Sequence, residues 1–233
     1  MAMKNKKLVS DIAIDGLFIA LILVLSLVPY LGFIQIGGIS ATILPIPVIL
    51  GAALLGPRRG VLYGAAFGFS SFLIAVIRGT AGDALFVDPL ISIVPRILFG
   101  FCTAIFSAVS FNERTSFKLK RFLIFPYSAI MMLLHSFFVL LAMYLRYVNA
   151  FMEYIFPILT PLVLLEALVA TVIVPVLYNV LYIPFEKYKD KFTTKNKSIY
   201  GTITSVYFAD ALNSLKEFVS INSVYDEKTV TKK

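Results

Sequence analysis

The chain has 233 residues, of which 59% are apolar and 15% charged, with a mean hydropathy of +0.90 and a formal net charge of +8. A soluble domain carries roughly 25% charged residues and needs polar side chains to cover its core, so this composition excludes that class. The positive charge does not indicate nucleic acid, because it lies in clusters beside apolar runs, where anionic lipid head groups are the expected neighbours.

Six apolar stretches have the length and low charge of membrane-spanning helices, since roughly 20 helical residues cross a hydrocarbon core of about 30 Å. They are Ile12–Leu31, Ser40–Leu55, Val61–Ile77, Pro89–Phe111, Phe122–Tyr147 and Ile155–Pro184. The start of the chain mimics a secretory signal, but its apolar run exceeds signal length and no small-residue cleavage site follows, so we expect it to be retained. We therefore predict an all-α integral membrane protein with six transmembrane helices within residues 12–185.

The segments that flank these spans differ sharply in positive charge. The N-terminal segment at 1–11, the second and fourth loops and the start of the tail carry fourteen lysines and arginines, whereas the other loops carry only Arg78 and Arg146. Lysine- and arginine-rich segments stay in the cytoplasm, so both termini are predicted to be cytoplasmic. The tail at 186–233 is polar, and its apolar residues at helical spacing between 208 and 219 fit either a surface amphipathic helix or a disordered segment.

The sequence carries no motif of an enzyme, a metal site or a cofactor site. It has one histidine and one cysteine, which excludes the usual zinc sites and any pair of catalytic histidines. A Walker A sequence is also absent, so the chain does not use ATP by that route. We predict neither catalysis nor a bound metal or cofactor.

Three ionisable residues inside the spans are candidates for a binding site. Arg96, His135 and Glu166 fall in the outer half of the bilayer, on the fourth, fifth and sixth spans. Ionisable groups at this depth are costly and normally face a cavity or a partner. One interpretation is a polar pocket open to the outside. The alternatives are an Arg96–Glu166 ion pair that only joins two helices, and an interhelical hydrogen bond for His135.

Small residues form two stripes at helical spacing. Gly16 and Ala20 give the first span a smooth face for close packing, either with a partner's helix or within the chain. Gly60, Gly64 and Gly68 form a similar stripe on the third span, which we assign to internal packing.

Three strings follow one another along the chain: I-P-V-I-L-G-A at 46–52, L-G-P-R-R-G at 55–60 and I-V-P-R-I-L-F-G at 93–100. In this order and spacing they resemble the substrate-binding S components of energy-coupling factor (ECF) vitamin transporters, over residues 8–185. The pantothenate-type members are the most similar. The resemblance implies a six-helix subunit that captures a water-soluble vitamin, pantothenate first, for an ATP-driven importer in the plasma membrane of a prokaryote.

The resemblance also implies a site and partners. Family members bind the vitamin in a pocket near the outer face, capped by the loops after spans one and three. The candidate substrate-binding residues are Arg96, His135, Glu166, Gln35 and Asp88. Arg96 would neutralise the carboxylate of the substrate, and the segment at 78–88 would act as a lid. The face formed by Gly16 and Ala20 would dock on a transmembrane coupling subunit that works with two ATPases.

Other functions remain open at this stage. The chain could be an S component for another vitamin, such as a folate-like one. It could also be a stand-alone secondary carrier, which would need Asp83, Asp88 or Glu166 to bind a cation. An intramembrane enzyme that uses Glu166 and His135 as acid and base is the third alternative.

Overall fold

The computed structural model of the protein describes residues 2–28, 31–36, 39–79, 81–112, 115–148, 151–152 and 156–193. Residues Met1–Phe185 form one compact unit and residues Glu186–Lys233 a second. The apolar tail residues between 208 and 219 lie outside the described residues.

Helices account for most of the described chain. In order they are α1 (Ala2–Leu27), α2 (Pro45–Leu55), α3 (Pro57–Arg78), α4 (Pro89–Ser92), α5 (Val94–Ser110), α6 (Phe117–Arg146) and α7 (Phe156–Thr193). A short antiparallel hairpin, β1 (Phe33–Ile36) and β2 (Ile39–Thr42), joins α1 to α2. A 3₁₀ helix (Ala81–Val87) joins α3 to α4.

Five helical stretches of the described chain are long and apolar enough to cross a membrane. They are Leu8–Leu27, Pro57–Arg78, Pro89–Ser110, Phe117–Arg146 and Leu159–Lys187. The prediction of an all-α, multi-pass membrane protein is confirmed, with the hairpin as the one described region of strand. The sixth apolar helix, α2, has only 11 residues and is shorter than a span.

The helix α2 lies at the centre of the unit, and every one of its residues is buried. It carries no charge and is apolar on all sides, which is the pattern of a helix surrounded by others. Pro45 and Pro47 fit its first turn, where backbone N–H groups have no intrahelical acceptor. It ends at Gly56, whose φ of 111° is a backbone angle that glycine adopts without strain.

The prediction that the second span begins at Ser40 was wrong. Residues Ile39–Thr42 instead form β2, paired with Phe33–Ile36. Pro45 and Pro47 have no N–H to donate to the carbonyls four residues earlier, those of Ala41 and Ile43, so the helix does not extend back through them and begins at Pro45.

The predicted fourth span, Pro89–Phe111, is interrupted at Ile93, between α4 and α5. The physical cause is Pro95, which has no N–H to donate to the carbonyl four residues earlier, that of Ile91. A side chain takes the place of that donor, because Nη1 of Arg96 donates to the Ile91 carbonyl.

The glycine stripe of α3 packs directly on the backbone of α5. A Cβ added at Gly64 would lie 2.7 Å from Cα of Gly100 and 2.8 Å from the carbonyl oxygen of Arg96. One added at Gly100 would lie 2.6 Å from the carbonyl oxygen of Gly60. No side chain fits between these helices, so the assignment of this stripe to internal packing is confirmed.

A polar cluster fixes α1 to α3. Asp15 of α1 accepts hydrogen bonds from Nε of Arg59 at 2.8 Å and from the hydroxyl of Tyr63 at 2.7 Å. Arg59 also pairs with Asp11 at 3.1 Å. Because these charges are paired and partly buried, they hold α1 and α3 together and fix the position of one helix along the other.

Candidate functional site

A cavity lies where β2, α5, α6 and α7 meet the 3₁₀ helix. It holds about 430 Å³ of empty space, the open solvent at its mouth included. The polar residues that line it are Thr42, Arg96, His135, Ser136 and Glu166. The apolar ones are Phe86, Val139, Leu140, Met143, Leu159, Leu162 and Val163. An apolar wall with a few converging polar groups is the usual composition of a ligand pocket.

Arg96 brings a buried positive charge to this cavity. Its guanidinium carbon lies 5.5 Å from the ring centroid of Phe67 and 5.0 Å from that of Phe86, close enough for cation–π attraction. Nη1 donates to the Ile91 carbonyl, while Nε has no hydrogen-bond partner among the described residues. The side chain is thus held in place and still has a donor to offer.

His135 lies on α6 between two aromatic rings. Its ring centroid is 5.4 Å from that of Phe67 and 5.2 Å from that of Phe99, the latter edge to face at 73°. Both ring nitrogens are buried and have no hydrogen-bond partner in the part of the chain that the structure describes. No interhelical hydrogen bond to His135 is therefore present among the described residues, and both ring nitrogens can still bond to another molecule.

Glu166 on α7 bonds to two other elements. Oε1 accepts the backbone N–H of Thr42 at 2.5 Å, and Oε2 accepts the hydroxyl of Ser136 at 3.4 Å. Among the ion pairs of the described residues, none within 4.0 Å joins Glu166 to Arg96. The structure therefore does not contain the simple interhelical ion pair that the sequence left open.

The structure places the other two predicted residues differently. Asp88 does not line the cavity among the described residues; it caps α4 by accepting the N–H of Leu90 at 2.9 Å and pairs with Arg146 at 2.8 Å. The hydrogen bond from Arg146 holds the pKa of Asp88 below its ordinary value. Gln35 pairs with Ser40 in the hairpin, and its side chain lies outside what the structure describes.

Sequence reasoning missed several residues of this site. Ser136 carried a signal, since it shares the helical spacing of the buried α6 residues Met132, Val139 and Met143. Phe67 and Phe86, the aromatic partners of Arg96, carried no such signal, because nothing in the sequence distinguishes these two among the 21 phenylalanines. Thr42 was missed because β2 was interpreted as the start of a helix.

The face predicted for docking is exposed in the described unit. A Cβ added at Gly16 would meet nothing within 4 Å, and Ala20 is also exposed. The opposite side of α1 is buried, with Phe18 and Ile22 in the core. The face formed by Gly16 and Ala20 therefore does not pack on the described residues of this unit.

Residues 10–178 match the family model of the ECF transporter, substrate-specific component. The chain belongs to this family. The resemblance carried by the three sequence strings is confirmed, and this S component is part of a transporter rather than an enzyme, as the sequence predicted.

Two named relatives are similar to part of this S component. The pantothenate transporter PanT of Leuconostoc mesenteroides is 36% identical over 103 residues, which are 42% of this chain and 50% of the relative. The pantothenic acid transporter PanT of Lactococcus lactis subsp. cremoris is 34% identical over 113 residues, 42% of this chain and 57% of the relative. The S component thus spans about half the length of the curated relatives that it matches.

Proposed function

We propose that this chain captures pantothenate for an ATP-driven importer of the ECF type. Membership of the S-component family supports the importer, and the names of both relatives support the vitamin. The observation that carries the proposal is the cavity itself. In it a buried arginine that has no described carboxylate within 4.0 Å lines the same space as a histidine whose two ring nitrogens have no hydrogen-bond partner among the described residues.

The chemistry of the cavity matches that of pantothenate, which combines a carboxylate, an amide, two hydroxyls and a branched aliphatic segment. Arg96 would bind the carboxylate, since a charged hydrogen bond in a buried site is stronger than one in water. His135 and Ser136 would bind the hydroxyls and the amide. The aliphatic segment would pack on the apolar wall that includes Val139 and Leu162.

The proposal includes an orientation, a location and partners. Residues 1–11 and 186–233 would lie in the cytoplasm of a prokaryotic cell, and residues 12–185 would cross its plasma membrane. The exposed face of Gly16 and Ala20 would pack against a transmembrane coupling subunit, since small residues allow helices to approach closely. Two ATPase subunits would supply the energy that this chain has no motif to provide.

The test is direct binding followed by recovery of the complex. The purified protein is titrated calorimetrically with pantothenate, with its two halves, pantoate and β-alanine, and with folate. A saturable pantothenate signal, much tighter than either half, is the expected result. Tight folate binding without pantothenate binding would assign another vitamin. Affinity purification from the native membrane should bring down a coupling subunit and ATPases, whereas a stand-alone carrier would be recovered by itself.

A further inference from the structure

The hairpin presents one backbone donor away from its own partner strand. Phe33 and Thr42 are paired across the two strands, and the N–H of Ile43 donates to the carbonyl of Gly32 at 3.0 Å. In an antiparallel ladder, this placement makes Phe33 and Thr42 a non-hydrogen-bonded pair. The N–H of Thr42 therefore points outward from the hairpin, at the free edge of β2.

The carboxylate of Glu166, on α7, lies against this free edge of β2. Its Oε1 accepts the Thr42 N–H at 2.5 Å, and its Oε2 accepts the Ser136 hydroxyl at 3.4 Å. One carboxylate on α7 thus contacts β2 and α6 together, beside a cavity that all three residues line. A carboxylate that accepts a backbone N–H makes a charge-assisted bond, which is stronger than a neutral one.

We propose that Glu166 is a positioning residue that fastens the hairpin to the cavity wall, rather than a ligand of the substrate. Both of its oxygens already have donors from the protein, and no described cation lies within 4.0 Å of it. A negative group would also repel the carboxylate of an anionic substrate, which binds to Arg96. The fastened hairpin keeps the bound molecule from leaving, so Glu166 sets the residence time of the ligand; this consequence rests on the proposed function.

The fastening itself is tested without any ligand. Hydrogen–deuterium exchange is measured on the peptide that carries Ile39–Ile43, in the purified full-length protein, for the wild type and for Glu166→Ala and Glu166→Gln. The Thr42 amide should exchange at least tenfold faster in Glu166→Ala, and by an intermediate factor in Glu166→Gln, which keeps one oxygen acceptor. Thr171→Ala is the matched control, since among the described residues this α7 hydroxyl donates to its own helix, at the Ala167 carbonyl. Unchanged exchange in Glu166→Ala would overturn the proposal.

The effect of Glu166 on ligand release is tested by also removing the N–H of Thr42, which donates the hydrogen bond to Glu166. Thr42→Pro removes the N–H, and proline is tolerated at a strand edge whose N–H does not face the partner strand. It also removes the hydroxyl that accepts the Leu44 N–H at 3.3 Å, so Thr42→Val, which loses only that hydroxyl, is its reference. Glu166→Ala and Thr42→Pro should each speed pantothenate release by about tenfold, and the double variant should release it no faster than either single variant. Fully additive effects would mean that Glu166 acts on release independently of the Thr42 N–H, and would overturn its role in retention through the hairpin. Absence of pantothenate binding by the wild type would contradict the proposed function, while the exchange measurement would still decide whether Glu166 fastens the hairpin.

Discussion

Arg96 and Glu166 line the same cavity, but in the described structure their side chains do not form an ion pair within 4.0 Å. Each charge has separate partners: the guanidinium donates to the carbonyl of Ile91, and the carboxylate accepts from Thr42 and Ser136. A buried charge without an opposite charge in contact is costly. An anion that enters the cavity would offset that cost at Arg96.

We expect Arg96→Ala to reduce pantothenate affinity at least 100-fold, because it removes the charge that binds the carboxylate. Loss of one partner of a buried, hydrogen-bonded charge pair costs roughly 2–5 kcal/mol. Arg146→Ala is the control, since that arginine is exposed and pairs with Asp88 outside the cavity. Calorimetric titration of both variants checks this, with thermal unfolding to show that they are folded. An Arg96→Ala protein that binds within a few-fold of the wild type would make Arg96 a structural residue.

We expect His135→Leu to weaken pantothenate binding without lowering the stability of the protein. The imidazole is buried and its nitrogens have no described partner, so an apolar side chain of similar size removes an unsatisfied polar group. Such a group costs about 1–3 kcal/mol, and the unfolding midpoint without ligand should stay equal or rise. Pantothenate affinity should fall about tenfold, through loss of a hydrogen bond. A fall in both quantities would instead indicate that His135 serves the packing of α6.

We expect Gly16→Leu and Ala20→Leu to abolish uptake and to leave pantothenate affinity within about twofold. Both positions are exposed, and at Gly16 a side chain meets nothing in the described unit, so the fold tolerates the change. The larger side chain would keep a partner helix from close contact. Ala108→Leu is the matched control, an exposed alanine on α5. Uptake of labelled pantothenate by cells and binding to the purified variants are the two measurements; parallel loss of both would contradict a docking role.

We expect Gly64→Ala to destabilise the protein by about 1–3 kcal/mol, the usual cost of overpacking. The new methyl group would lie 2.7 Å from Cα of Gly100 and 2.8 Å from the carbonyl oxygen of Arg96, so α3 and α5 must separate. Gly16→Ala is the matched control, with no atom within 4 Å of the added group. Thermal unfolding of the ligand-free variants measures the difference. Equal midpoints for the two variants would show that the α3–α5 contact is looser than described.

The spans and the charged cavity residues were predictable for the same physical reason. In a membrane protein an unbroken apolar run is a strong signal, and Arg96, His135 and Glu166 interrupt such runs at a cost that needs a cause. Residues Ile39–Thr42 alternate apolar and polar side chains, but four residues are too few for that alternation to separate a strand from the start of a helix, so β2 was missed. Asp88 was among the candidate substrate-binding residues, yet the direction of its side chain depends on the capping geometry of α4, which sequence spacing does not reveal.

Our last prediction concerns the segment at 78–88, which we expect to become more ordered when pantothenate binds. Its 3₁₀ helix carries Phe86, whose ring lies 5.0 Å from the guanidinium carbon of Arg96, so a ligand bound at Arg96 would contact this segment. Closure over a pocket excludes water and strengthens the polar contacts inside it. A spin label at the exposed Ala84, in a Cys102→Ser background, reports the mobility.

The label at Ala84 should lose mobility as pantothenate is added, and the change should saturate with the calorimetric binding curve. A label at Ala108, exposed on α5 and absent from the cavity lining, serves as the control and should show no change. The Arg78–Asp83 pair, at 3.4 Å, holds one end of the segment. If the mobility at Ala84 is the same with saturating ligand, the segment is a fixed wall. Closure of the cavity would then fall to the hairpin that Glu166 holds through Thr42.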